Sequence, residues 1–119
     1  YLEVESTEKA IRFYERAFGA TVVHVYPRDD KGRTMHAHIH VNGGSLMMTD
    51  PFPEHGHGFS QPQGYHIMIP VDDVDAWFKR AVDAGATAEM PPTDMFWGDR
   101  YARLKDPFGI LWALNAGKK

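Results

Sequence analysis

Three histidines alternate in His36-Ala37-His38-Ile39-His40, and no other stretch of the chain is so dense in chemistry. If the stretch is a β-strand, side chains two apart share a face, so the imidazoles point one way and Met35, Ala37, Ile39 and Val41 the other. Imidazoles at this spacing can begin a zinc or iron centre, and His66 is a further nitrogen donor. The competing reading is a polar cavity wall or solvated strand that hydrogen-bonds a ligand or water. It is favoured because no carboxylate accompanies the histidines in register. Asp50, the nearest, lies in a segment rich in Pro and Gly. His55 and His57, separated by Gly56 in that segment, read as exposed loop side chains rather than a metal-catching pair, and His24 reads as surface or rim.

A second alternating stretch, Tyr101-Ala102-Arg103-Leu104-Lys105, sends Ala102 and Leu104 to the apolar side and Tyr101, Arg103 and Lys105 to the other. A guanidinium facing into a partly closed apolar setting is costly unless it meets an anion or a protein carboxylate. Glu3 is the obvious protein partner; otherwise Arg103 marks a place for a carboxylate or phosphonate, with Tyr101 as a nearby hydroxyl donor. Phe96 and Trp97 precede this strand in a loop bounded by Pro91, Pro92 and Gly98. They are placed to stack on a flat ligand, or equally to serve as a dimer contact or hydrophobic plug.

The elements that must position these residues repeat. Phe18-Gly19-Ala20-Thr21 returns as Ala84-Gly85-Ala86-Thr87, and the glycines are 66 residues apart. That period is too long for a solenoid unit and implies two related half-domains. In the first, residues 1–5 read as a strand. A helix follows with a cap at Thr7, an apolar stripe of Ala10, Ile11, Phe13, Tyr14, Ala17 and Phe18, and a stop at Gly19. Strands are expected at 21–26, 33–41 and 45–49, with a hairpin turn at Asn42-Gly43-Gly44. In the second, a strand at 65–71 precedes a helix from Val74 to Ala84 capped by Asp72 or Asp73, then strands at 86–90, 99–105 and 110–114. Trp77 and Trp112 fall on helix-packing faces and are expected in the core. Asp106-Pro107-Phe108-Gly109 has the composition of a tight structural turn.

At 119 residues with 43% hydrophobic content the chain suits a single domain: module 1 at residues 1–49, a linker or lid at 50–64, and module 2 at 65–119. A net charge of -3 with scattered Lys and Arg argues against nucleic-acid binding. The absence of cysteine and of any apolar run near the length of a membrane helix points to a cytoplasmic protein with no membrane partner.

The doubled β-α-β-β-β unit is similar to the vicinal oxygen chelate superfamily of glyoxalase I, extradiol dioxygenases and the fosfomycin and bleomycin resistance proteins. The most specific stretches are Lys9 to Ala20, Phe96-Trp97-Gly98-Asp99-Arg100-Tyr101 and Lys105-Asp106-Pro107-Phe108-Gly109, which resemble the PhnB-type, glyoxalase-like subgroup. The resemblance implies an α+β fold whose tandem βαβββ modules form a cup-shaped mixed sheet with helices on the convex face, and it implies a homodimer. In metal-dependent members the first and fourth strands of each module supply the ligands. Carried over, those positions fall on His66, on Ala113, on Met48 by the internal repeat, and on a residue before Tyr1. Alanine offers no donor and a thioether is a poor ligand for hard ions, so no metal is expected there.

The ligand-binding set expected is thus His36, His38, Met48, His66, Phe96, Trp97, Tyr101 and Arg103, for a small aromatic or anionic molecule held without cofactor. The alternative is a lyase, isomerase or thiol transferase that uses a divalent metal such as zinc, nickel or manganese on a rebuilt histidine site. A third reading is metal-free acid–base catalysis by His66 or His36; no catalytic residue is assigned.

Overall fold

The apolar stripe at Ala10, Ile11, Phe13, Tyr14, Ala17 and Phe18 makes a helix because it recurs every three to four residues and is bracketed by a polar cap and a glycine. In the structure, a computed structural model that describes residues 1–56 and 58–117, this helix, α1, runs Thr7–Phe18. Ser6 rather than Thr7 caps it, its side chain accepting from the Lys9 amide, and Gly19 ends it in the left-handed region at φ 66. His57 lies outside the described residues.

The chain divides into two compact units, Tyr1–Gln61 and Pro62–Lys119. In the first, β1 (Leu2–Glu3), β2 (Thr21–Val25), β3 (Ala37–Val41) and β4 (Gly44–Thr49) form a sheet of order β1-β4-β3-β2, with β1 parallel to β4 and the other pairs antiparallel. The helix packs against β3. Between them lies a core of Phe13, Tyr14, Phe18, Ile39, Met48, Leu2 and Val4, each large side chain contributing about 1.5–3 kcal/mol by leaving water. The β3–β4 hairpin turns on Asn42 and Gly43, both at positive φ (48 and 83), the backbone a two-residue turn demands.

β3 begins later than expected. Thr34 leaves the ladder because its amide donates to Asp50 Oδ2 (2.8 Å) and its hydroxyl to the Tyr26 carbonyl (2.9 Å), which leaves Met35 exposed instead of on the helix side. Asp50 itself is a buried clamp, 3% exposed, accepting also from the Thr7 amide (2.9 Å) and hydroxyl (2.6 Å), with Arg28 at 3.7 Å. It is consumed by the fold and not available as a ligand. Among the described residues of the rest of the expected linker, Pro53–His55 form a 3₁₀ turn.

The second unit repeats the pattern with β5 (Ile67–Pro70), α2 (Val74–Ala84), β6 (Thr87–Asp94), β7 (Arg100–Lys105) and β8 (Leu111–Ala116) in the order β5-β8-β7-β6. Asp73 caps α2 through the Ala76 amide. The helix packs on β6, β7 and β8 over buried Ala102, Leu104, Trp112 and Leu114; Trp77 is only half-buried. Trp112 Nε1 donates to Asp106 Oδ2 at 2.9 Å, while Asp106 Oδ1 accepts from the Phe108 and Ile110 amides, making the expected structural turn. β6 runs through Pro91 and Pro92, tolerated because it is an edge strand with two register shifts. This is an α+β fold of two mixed four-stranded sheets, each with one helix.

Candidate functional site

Each sheet packs its helix against one face, and cross-strand register states which side chains share the other, helix-free face, since directly opposed residues project to the same side. In the second unit Arg103 on β7 stands opposite Ala113 on β8 and Met90 on β6, and Met68 on β5 also pairs with Ala113. Tyr101, two residues before Arg103, stands opposite Asn115 and Thr93. Alternation with buried Ala102 and Leu104 puts Tyr101 and Arg103 on the helix-free face; Ala113, on the same side, has no exposed surface and lies beneath its neighbours.

The turn between β6 and β7 presents two aromatic rings beside Tyr101. It closes by Met95 N–H donating to the Asp99 carbonyl (2.8 Å) and Gly98 N–H to the Met95 carbonyl (3.0 Å), with Gly98 at φ 100. Phe96 at the tip is 95% exposed and Trp97 48%. The Trp97 ring sits edge-on to both Phe96 (4.9 Å) and Tyr101 (5.9 Å). Phe96, Trp97 and Tyr101 are therefore brought together as a continuous aromatic ledge leading to Arg103.

Arg103 is exposed and has no hydrogen-bond or ion-pair partner among the described residues. Arg100, three positions earlier and on the helix side, is the contrast: it binds Asp75 through Nε and Nη2 (2.7 and 2.9 Å) and Asp94 through Nη1 (3.0 Å). Those bonds raise the Arg100 pKa and hold the Asp75 carboxyl below its usual range. A hollow of about 400 Å³ beside the aromatic turn is lined by Asp94, Met95, Gly98, Arg100, Ala116 and Gly117, so its guanidinium is already neutralised.

His66 is exposed and lies one residue before β5, where continued alternation puts it on the side of Met68. In the first unit, His38 stands opposite His24 and Met47, and His40 opposite Thr21 and Ser45. His36 precedes β3, its Nδ1 2.9 Å from the Tyr1 hydroxyl and its ring 5.1 Å from Tyr26. Partial enclosure of the Tyr1 hydroxyl raises its pKa, and repulsion from the Tyr26 phenolate adds to this, although the residue as a whole stays open to solvent. A cavity of about 270 Å³ beside this pair is lined by Tyr1, Glu3, Met35, Thr49 and Phe52.

The register corrects one position. Met48 pairs with Ala37 and Leu2 on the helix side and has no exposed surface, so Met47 and not Met48 is the first-unit equivalent of Ala113. Pro107-Phe108-Gly109 makes the β7–β8 turn one residue longer than Asn42-Gly43, with the Asp106 amide bonded to the Ile110 carbonyl, and this shifts the strand that follows. Alternation in residues 1–5 puts Tyr1 and Glu3 opposite buried Leu2 and Val4, whereas Tyr26, Met47 and Asn115 were not foreseen on this face; hairpin length carried the signal for Met47.

Of the ligand positions the resemblance suggests, His66 alone offers this chain a good donor, fewer than the three protein ligands of a catalytic metal centre. Ala113 has no lone pair, Met47 is a soft thioether, and the residue facing Ala113 is the permanent cation Arg103, which repels a divalent ion. Among the described residues no three His, Asp or Glu side chains converge closely enough to hold one.

Comparison with known proteins agrees with this architecture. The chain is 38% identical over 121 residues to the uncharacterized protein Mb0911c of Mycobacterium bovis, covering 97% of this chain and 79% of the relative. TioX from Micromonospora sp. ML1 superposes with a TM-score of 0.77 at 27% identity, over 97% of this chain and 93% of that one. The PhnB protein from Bacillus cereus shares the fold at TM-score 0.72 and 20% identity, over 98% and 95% of the two chains. No helix among the described residues is long and apolar enough to cross a membrane. Residues 2–114 match the model of the glyoxalase/bleomycin resistance protein/dioxygenase superfamily, and the chain belongs to that family.

Proposed function

We propose that this chain binds a small aromatic anion on the helix-free face of its second unit, without a metal at the superfamily's usual ligand positions. The observation that carries the reading is the Arg103–Ala113 pair, a guanidinium with no partner among the described residues set against a methyl group where a carboxylate would be needed for a metal. An anionic head bonds to Arg103 with Tyr101 as a second donor, and a flat body lies along Trp97 and Phe96. The role is capture and retention; no bond is made or broken.

Calorimetric titration with phenylphosphonate and benzoate, in the presence of a chelator, tests this. Arg103→Gln is expected to weaken both by about 10- to 150-fold, the equivalent of roughly 1.5–3 kcal/mol for a charge-assisted hydrogen bond. Phe96→Ala is expected to weaken the aromatic anions but not inorganic phosphate. Binding that requires a metal, or that survives Arg103→Gln unchanged, contradicts the reading. The cysteine-free sequence suits a reducing cytoplasm. The edge strand β2, with Val22 and Val23 each 48% exposed, offers apolar surface to a second copy, and light scattering on the purified chain reads the homodimer directly.

A further inference from the structure

We propose that His38 and His40 form a binding site for a late first-row divalent ion, copper, nickel or zinc, on the helix-free face of the first sheet. The site uses residues of the first unit alone and is independent of anion binding at Arg103. Both imidazoles stand on β3 with Ile39 fully buried between them, so the backbone fixes them on one face. Their ring centroids are 5.2 Å apart with the planes at 77°. An ion about 2.0–2.1 Å from a ring nitrogen lies roughly 3.2 Å from the ring centroid. Two imidazoles at the right or tetrahedral angle of such ions then have centroids about 4.5–5.2 Å apart, and the observed separation lies at the upper end of that range.

The surroundings favour a cation. The cross-strand neighbours of the pair are Thr21, His24, Ser45 and Met47, none of them positively charged side chains of Lys or Arg. His40 has no hydrogen bond among the described residues. His38 has one, Nε2 to Ser45 Oγ at 3.0 Å. With Nε2–H donating to that hydroxyl, Nδ1 carries the lone pair, the arrangement by which an outer hydrogen bond orients a ligating imidazole. The other two histidines nearby are engaged elsewhere: His36 with the Tyr1 hydroxyl and the Tyr26 ring, His24 with the Tyr26 ring at 5.2 Å. Two protein donors leave the remaining positions to water, so binding is reversible, and imidazole donors rank the ions with copper first.

The test is calorimetric titration of the full chain, free of any affinity tag, with copper, nickel and zinc chlorides, alongside electron paramagnetic resonance of the copper form. One equivalent is expected, tightest for copper, with hyperfine structure from two nitrogens. His38→Ala and His40→Ala each weaken copper binding by about tenfold or more, and Ser45→Ala by about tenfold through loss of the orienting bond. His24→Ala and His36→Ala change it less than about twofold. Circular dichroism verifies that each variant is folded. Absence of binding by the parent, survival of binding in the double variant lacking His38 and His40, or an effect of His24→Ala as large as that of His40→Ala overturns the proposal.

Discussion

Replacing Asp50 by alanine tests how the first unit is held. The carboxylate is 3% exposed and accepts three hydrogen bonds, from the Thr7 amide (2.9 Å), the Thr7 hydroxyl (2.6 Å) and the Thr34 amide (2.8 Å), with the Arg28 guanidinium as an ion-pair neighbour at 3.7 Å. The Thr7 hydroxyl can turn elsewhere, and Arg28 Nη1 keeps its 2.9 Å bond to the Gly32 carbonyl. The two amides cannot. Each buried donor left without a partner costs about 1–3 kcal/mol, so Asp50→Ala is expected to remove about 4 kcal/mol. That is a large part of the roughly 6–18 kcal/mol typical of a chain this long. Urea unfolding followed by circular dichroism should show the midpoint falling by roughly 2–3 M. Asp50→Asn, which keeps one acceptor oxygen, should lie between. A loss below about 1 kcal/mol for Asp50→Ala would refute the idea that this carboxylate ties the helix start to the approach of β3.

Acid stability should carry the mark of Glu54. Its carboxyl is pulled from 4.5 to about 2, first by the Arg33 guanidinium, which donates to both oxygens at 3.0 and 2.7 Å. A depressed folded pKa gives stability that is present above 4.5 and lost as the pH falls toward 2. Glu54→Gln should therefore flatten the decline over that window in acid titrations followed by circular dichroism, and an unchanged slope contradicts the pairing. Gly43→Val should cost about 1–2 kcal/mol in urea unfolding, because φ is 83 and the new side chain meets nothing within 4 Å, so the penalty is conformational. A cost below about 0.5 kcal/mol would show the turn to be unstrained.

The alternation around His38 and Arg103 was legible because a period of two is a local property: Ala37, Ile39, Ala102 and Leu104 are all buried, as their apolar character demands. Helix α1 was legible for the same reason, its stripe and Gly19 lying within one window. The internal repeat puts Met48 one residue off because the two hairpin turns differ in length, and a single extra residue flips every side chain beyond it. Asp50 looked like a loop carboxylate because its partner Thr7 is 43 residues away in sequence, and Met35 looked like core because nothing local shows Thr34 leaving the ladder. Long-range hydrogen bonds of this kind leave no periodic trace. The face that carries the proposed anion site depended on alternation alone, and its aromatic ledge on a turn whose Gly98 was visible in the sequence.

Whether Arg103 anchors an anion without a metal can be read in a crystal structure of the chain grown with phenylphosphonate and a chelator. Phosphonate oxygens are expected within hydrogen-bonding distance of the Arg103 guanidinium, with the phenyl ring against Trp97 and no ion beside Ala113. A phosphonate bound through a metal, or bound away from Arg103, would contradict this anchoring.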